Sequence, residues 1–158
     1  SQNLRNKNTF SCGCYRKEVF SLPDGQATIN QYIQEYKRGA RTRKIQWKLS
    51  KEDFIALVSK NCYYCGAPPK LKNTYYRSDG TQTKTSIARN MDKKSVDRNW
   101  VALNGLDRLD PKKGYTLDNV VPCCSEHNLM KQSLTEEEFI ASLKKVYAHL
   151  KLGDKNGK

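Results

Sequence analysis

Two short cysteine motifs and a run of polar residues between them carry the chemistry of this chain. The first motif is Cys62-Tyr-Tyr-Cys65-Gly66, a tight C-x-x-C pair. The second is Cys124-Ser-Glu-His127, a C-x-x-His pair about sixty residues later. Matching two-residue gaps make Cys62, Cys65, Cys124 and His127 a Cys₃His set for one tetrahedral zinc ion. Four protein ligands leave no position for water, so such a zinc is structural. Cys123 adjoins Cys124, and only one of the two fits the register; Cys124 is chosen, with Cys123 a buried thiol or an alternate ligand. Near the second pair stand Asp107, Asn119 and Asn128, whose oxygen-bearing side chains suit a hard divalent cation such as Mg²⁺ or Mn²⁺.

The segment Asn104-Gly-Leu-Asp-Arg-Leu-Asp-Pro-Lys-Lys-Gly-Tyr-Thr-Leu-Asp-Asn-Val-Val-Pro-Cys-Cys-Ser-Glu-His-Asn128-Leu-Met-Lys131, with the Cys62–Cys65 knuckle before it, resembles the HNH family of ββα-metal endonucleases. The likeness is closest to the zinc-braced members found in phages and mobile introns, and it covers about Ser50 to Gln132. The resemblance implies a hairpin followed by a helix with one divalent cation between them. Asp107 and Asn128 are then the ligands of that cation, and Asn119 ties the loop that orients the base. Asp110 and Asp118 read as turn or surface carboxylates, with Asp110 an alternative second ligand.

One position departs from the family pattern. The residue after the metal aspartate is normally the histidine that activates water, and here it is Arg108. A guanidinium is always protonated and is no general base at neutral pH. Three readings stay open: Arg108 clamps phosphate while metal-bound or substrate-assisted water attacks, Tyr115 or another residue takes the base role, or the domain binds DNA and cuts poorly. The expected function is a metal-dependent DNA endonuclease of the phage or intron homing type, with Asp107, Arg108, Asn119 and Asn128 at its centre. A DNA- or RNA-binding module on a degenerate HNH fold is the alternative.

Composition agrees with a nucleic-acid partner. The 158 residues hold 29 Lys plus Arg against 16 Asp plus Glu, a net charge of +13. Such an excess is the electrostatic footprint of a polyanion binder, here double-stranded DNA. Apolar residues are 37% of the chain, below the usual ~45–50%, so the core is modest and a metal staple is expected to reinforce it. No run approaches the roughly 18 apolar residues of a membrane helix, and the polar opening is unlike a signal peptide. These features predict a soluble cytoplasmic protein, of a bacterial host if phage-encoded, without an obligate protein partner and with its cysteines on metal rather than in disulfides.

The expected architecture is α+β: a small ββα-metal core with a structural Cys₃His zinc, flanked by N- and C-terminal helices. Residues 1–24 form a polar arm in which Cys12-Gly-Cys14 looks like half of a zinc ribbon, a relic or part of a fragment. Residues 25–49 hold a basic helix, with Ile29, Tyr32, Ile33, Tyr36 and Ala40 at helical spacing, and a short alternating strand at Ile45–Leu49. Lys37, Arg38, Arg41, Arg43 and Lys44 at the end of that helix are the predicted DNA-backbone contacts. Residues 50–132 are the nuclease domain, opened by Ser50 as N-cap of a helix with Phe54, Ile55, Leu57 and Val58 on its buried face. Within it, Thr74–Asp97 reads as a long polar loop or insertion whose Tyr75, Tyr76, Arg77, Lys84 and Arg89 could touch a duplex. Residues 133–158 are a C-terminal helix begun by the capping box Thr135–Glu138, its stripe of Phe139, Ile140, Leu143, Val146, Tyr147 and Leu150 expected to pack on the core, and a frayed tail.

Overall fold

In the computed structural model, residues 22–77 and 79–151 are described. The Cys12-Gly-Cys14 motif lies outside them. Helix α1 (Gln26–Thr42) begins at Gly25, whose φ of 75° is the left-handed conformation that glycine accepts without penalty. The Gly25 N–H donates to Arg98 O, and the Thr28 hydroxyl to Asn99 O, so the helix start is fastened to a distant turn. Helix α2 (Lys51–Val58) is capped by Ser50, whose hydroxyl accepts from the Asp53 N–H. It buries Phe54 and Val58 completely, which contributes about 1.5–3 kcal/mol each.

The strands are short and antiparallel. β1 (Lys70–Lys72) pairs with β2 (Val101–Leu103) in the register Lys70 with Leu103 and Lys72 with Val101. Between them lie α3 (Lys84–Ala88) and α4 (Lys93–Asp97), capped by Thr83 and Asp92. The hairpin β3 (Gly105–Arg108) with β4 (Val120–Cys123) pairs Gly105 with Cys123 and Arg108 with Val120. It runs directly into α5 (Ser125–Lys131), and α6 (Glu136–His149) follows. The fold is therefore α+β, with two small two-stranded sheets. Among the described residues no helix is long and apolar enough to cross a membrane.

One core joins α1, α2 and the hairpin: Ile33, Ala40, Phe54, Val58, Leu103, Leu106, Tyr115 and Val120 are buried together. Tyr36, Trp47, Phe54 and Tyr115 meet in edge and tilted contacts with ring centroids 5.1 to 6.0 Å apart. A smaller cluster of Cys62, Cys123 and Cys124 lies beside it, with Tyr64 and Ala67 packed on.

Three expectations are corrected. Ile45–Leu49 is not a strand but makes a single bridge, Trp47 to Tyr115, because Tyr115 offers only a short edge in an irregular loop. Thr74–Asp97 is not structureless. It forms α3 and α4, pinned by the buried Asn73 side chain donating to Val96 O and by Tyr76 stacked on Trp100. The α6 stripe does not pack along its length. The Thr135 capping box forms and Phe139 is buried, but Val146, Tyr147 and Leu150 are exposed, since the last turns of α6 run beyond the core.

Candidate metal centre and adjoining cleft

Cys62 and Cys65 are held by a turn closed at Gly66, where φ is 72° and the N–H donates to Cys62 O. The Tyr63 N–H donates to Pro122 O, which fastens this turn to β4. Cys124 is the N-cap of α5 and His127 lies in its first turn. As a result the donor atoms of Cys62, Cys65, Cys124 and His127 all lie within 4.8 Å of one another. The Cys65 and Cys124 sulfurs are 3.9 Å apart, and Cys124 Sγ is 3.1 Å from His127 Nδ1. Tetrahedral zinc with Zn–S bonds of about 2.3 Å places sulfurs roughly 3.8 Å apart, so the group could hold a metal ion such as zinc. Cys123 stands outside it, fully buried, with its thiol donating to Cys124 O at 3.4 Å.

The local field separates the thiols. Burial works against a thiolate at Cys62. The N–H groups of Cys124, Cys65 and Tyr64 and the Cys65 thiol outweigh it and bring its pKa down to about 7. Burial pushes the Cys123 thiol well up, with the neighbouring Cys62, Asp107 and Cys124 adding to the effect.

Asp107 sits on β3, 6% exposed, at the edge of a cleft of about 700 Å³. Its Oδ2 accepts from the Tyr64 hydroxyl at 2.8 Å and lies 3.1 Å from the Lys131 ammonium. Tyr64 belongs to the Cys62–Cys65 turn, and its ring stacks on His127 and meets Phe139 edge-on. Burial and the Asp107 carboxylate raise the Tyr64 pKa, so the phenol remains a donor. Asn128, on α5, lines the same cleft as Asp107, as do Arg108, Tyr115, Arg43, Glu35 and Gln132.

Arg108 leans over the Tyr115 ring, 5.4 Å from its centroid, and donates to the carbonyls of Pro111 at 2.5 Å and Lys113 at 2.8 Å. Asn119 is buried and bridges the loop: its Oδ1 accepts from the Asp110 N–H, and its Nδ2 donates to Asp110 O and Gly114 O. Asp110 turns the chain by accepting from the Lys112 N–H. No histidine lines the cleft, since His127 belongs to the thiol group and His149 ends α6.

The basic residues at the end of α1 and just after it do not line one common surface depression. Arg43 reaches the cleft and donates to the Tyr115 hydroxyl at 3.2 Å, while Lys44 takes a φ of 55° and lines an adjoining trough. Lys37 lies over the Trp47 ring; Arg38 and Arg41 are exposed on the helix and line neither depression.

Sequence reasoning missed Lys131, Tyr64 and Asn104. Lys131 is fully buried, although lysine is almost never so unless paired. Its only signal was its place one turn after Asn128. The buried Asn104 side chain donates to Lys60 O and Ala67 O, and its N–H to Val58 O, tying α2 and the first knuckle to the hairpin.

The chain is 34% identical over 105 residues to an uncharacterized protein of Acanthamoeba polyphaga mimivirus. The match covers 66% of this chain and 14% of that protein, so the chain spans about a seventh of the viral relative. No family model matches the sequence, and no solved structure matches the fold.

Proposed function

We propose that this protein is an HNH-type, metal-dependent DNA endonuclease of the phage or mobile-intron homing kind, braced by zinc at Cys62, Cys65, Cys124 and His127. The observation that carries the reading is the joint placement of Asp107 and Asn128. One stands on a hairpin strand and the other on the helix after it, and both line one cleft beside the thiol–imidazole group. Three thiols and an imidazole fit zinc, and a carboxylate and an amide oxygen fit Mg²⁺ or Mn²⁺. A divalent cation at the second site would polarise the scissile phosphate and stabilise the leaving oxygen.

The chain's own groups do the rest. Tyr64 and Lys131 both hold the Asp107 carboxylate, chiefly at Oδ2, and Asn119 holds the loop. Arg43 and Arg108 offer positive charge to a phosphate in the cleft, where the low-dielectric wall strengthens the attraction.

The test is conversion of supercoiled plasmid to nicked or linear form with Mg²⁺ or Mn²⁺. Asn128→Ala is the cleaner disabling variant, because Asp107→Ala also strips Lys131 of its counter-charge. Cleavage by wild type, its loss in Asn128→Ala and an unchanged zinc content are expected; wild-type protein inert on every DNA substrate rules the reading out.

A second reading, a DNA- or RNA-binding module on a degenerate HNH scaffold, is favoured by one observation. Arg108 stands at the base position with its guanidinium already engaged by two carbonyls. Arg108→His separates the two: an inert wild type beside an active histidine variant means a scaffold that kept its fold and lost its chemistry.

A further inference from the structure

The loop that carries Lys112 and Lys113 is stitched to the segment after α1 in a way no local pattern announces. The Tyr115 N–H donates to Gln46 O at 2.8 Å, and the Lys48 N–H donates to Tyr115 O at 2.9 Å. Gly114 lies so close that a Cβ there would stand 2.7 Å from Gln46 O, so no larger residue fits without moving backbone. Arg108 ties down the same loop through the carbonyls of Pro111 and Lys113. Two basic segments more than sixty residues apart in sequence therefore form the walls of one trough of about 860 Å³.

Its charged lining is Arg43, Lys44, Lys48, Lys112 and Lys113 against the single carboxylate of Asp118. Among the described residues, only Lys113 of these cations has an ion-pair partner, Asp110 at 3.9 Å. Holding like charges together on rigid backbone costs self-repulsion, which a bound polyanion relieves. The trough also lacks the aromatic and methionine anchors of a protein interface, where lysine is depleted. Arg43 lines both the trough and the Asp107 cleft, so a chain of phosphates lying in one runs into the other.

We propose that this trough is a track for the phosphate backbone of duplex DNA, with Lys48, Lys112 and Lys113 extending the contacts of Arg43 and Lys44 beyond the cleft. The inference rests on the DNA-binding half of the function proposed above and is independent of cleavage.

The test is fluorescence anisotropy of a labelled DNA duplex, without added Mg²⁺ or Mn²⁺, across a salt series. The double variant Lys48→Gln/Lys112→Gln changes two exposed side chains. Each lost phosphate contact flattens the plot of log affinity against log salt by about 0.9, and two such losses weaken binding roughly tenfold or more at ~0.1 M salt. The control is Lys144→Gln/Lys145→Gln on α6, equal in charge and exposed, which keeps the wild-type slope and affinity. An unchanged slope in the trough variant, or an equal loss in the control, overturns the proposal. So does a variant that loses an RNA duplex while keeping the DNA one. Plasmid cleavage is read on the same proteins. A wild type that binds with the expected slope and never cuts removes the nuclease reading and leaves the trough. An active wild type beside unchanged binding in the variant does the reverse.

Discussion

Lys131 stands with its ammonium 3.1 Å from Asp107 Oδ2, both side chains shut away from solvent, and gives its remaining protons to the carbonyls of Arg108 and Leu134 at 2.7 Å each. One lysine thus closes the last turn of α5, joins it to β3 and neutralises the carboxylate of the cleft. A buried pair of this kind adds little net stability over an apolar pair, but removing one partner leaves an uncompensated charge.

For that reason Lys131→Met is expected to destabilise the protein by about 3–5 kcal/mol. Asp107→Asn should cost a comparable amount, and the double variant Asp107→Asn/Lys131→Met less than the two losses added together. Urea unfolding of the four proteins measures the coupling. Strictly additive losses would mean that the two charges do not compensate each other.

The metal centre gives a sharp contrast between adjacent cysteines. Cys124→Ser and Cys65→Ser each remove a sulfur from the proposed zinc site, so purified protein should lose most of its zinc and much of its folded structure, because metal binding is coupled to folding. Cys123→Ser should retain one zinc per chain. Elemental analysis and circular dichroism decide it, and a zinc-free Cys123→Ser protein would place that sulfur on the metal.

Zinc affinity should fall as pH falls, since protons compete for the same sulfurs and imidazole. The Cys62 pKa is lowered from its ordinary value of 9.0 to about 7. Above about pH 7, then, Cys62 is largely thiolate and adds little competition; below it, Cys62 too takes up a proton that zinc must displace. The loss should steepen as pH drops through that value. Competition against a chromophoric chelator over about pH 6 to 8 reads the profile, and a constant slope across that range would contradict it.

Arg108 ties the loop through Pro111 and Lys113 and, under the proposed function, would also face phosphate. Arg108→Ala removes positive charge from the cleft and the two ties to Pro111 and Lys113. We expect a cleavage rate lower by about 10²-fold. Arg108→Lys keeps the charge without the two-pronged tie and should recover part of that rate. Equal rates for wild type and Arg108→Ala, measured on plasmid, would exclude the side chain from the phosphate.

What the sequence determined by itself was local. A C-x-x-C turn and a C-x-x-His pair at a helix start place their donors within a few bonds of backbone. The choice of Cys62, Cys65, Cys124 and His127 could therefore be made from spacing, and the structure brings those four within 4.8 Å. Helix α1, the Ser50 cap and the Thr135 capping box were legible for the same reason: period and caps depend on neighbours three or four residues away. Tertiary structure alone decided the rest. Lys131 reads in sequence as a solvent-facing cation, and only the approach of β3 to α5 buries it against Asp107. Tyr64 reads as filler between two cysteines, and only the turn over α5 carries its hydroxyl to the same carboxylate. Lys112 and Lys113 join Lys44 and Lys48 because Gly114 admits the Gln46 backbone. Trp47 failed to form a strand because its partner Tyr115 lies in a loop with no edge to extend. In each case the deciding energy is a contact between residues far apart in the chain, which no local pattern encodes.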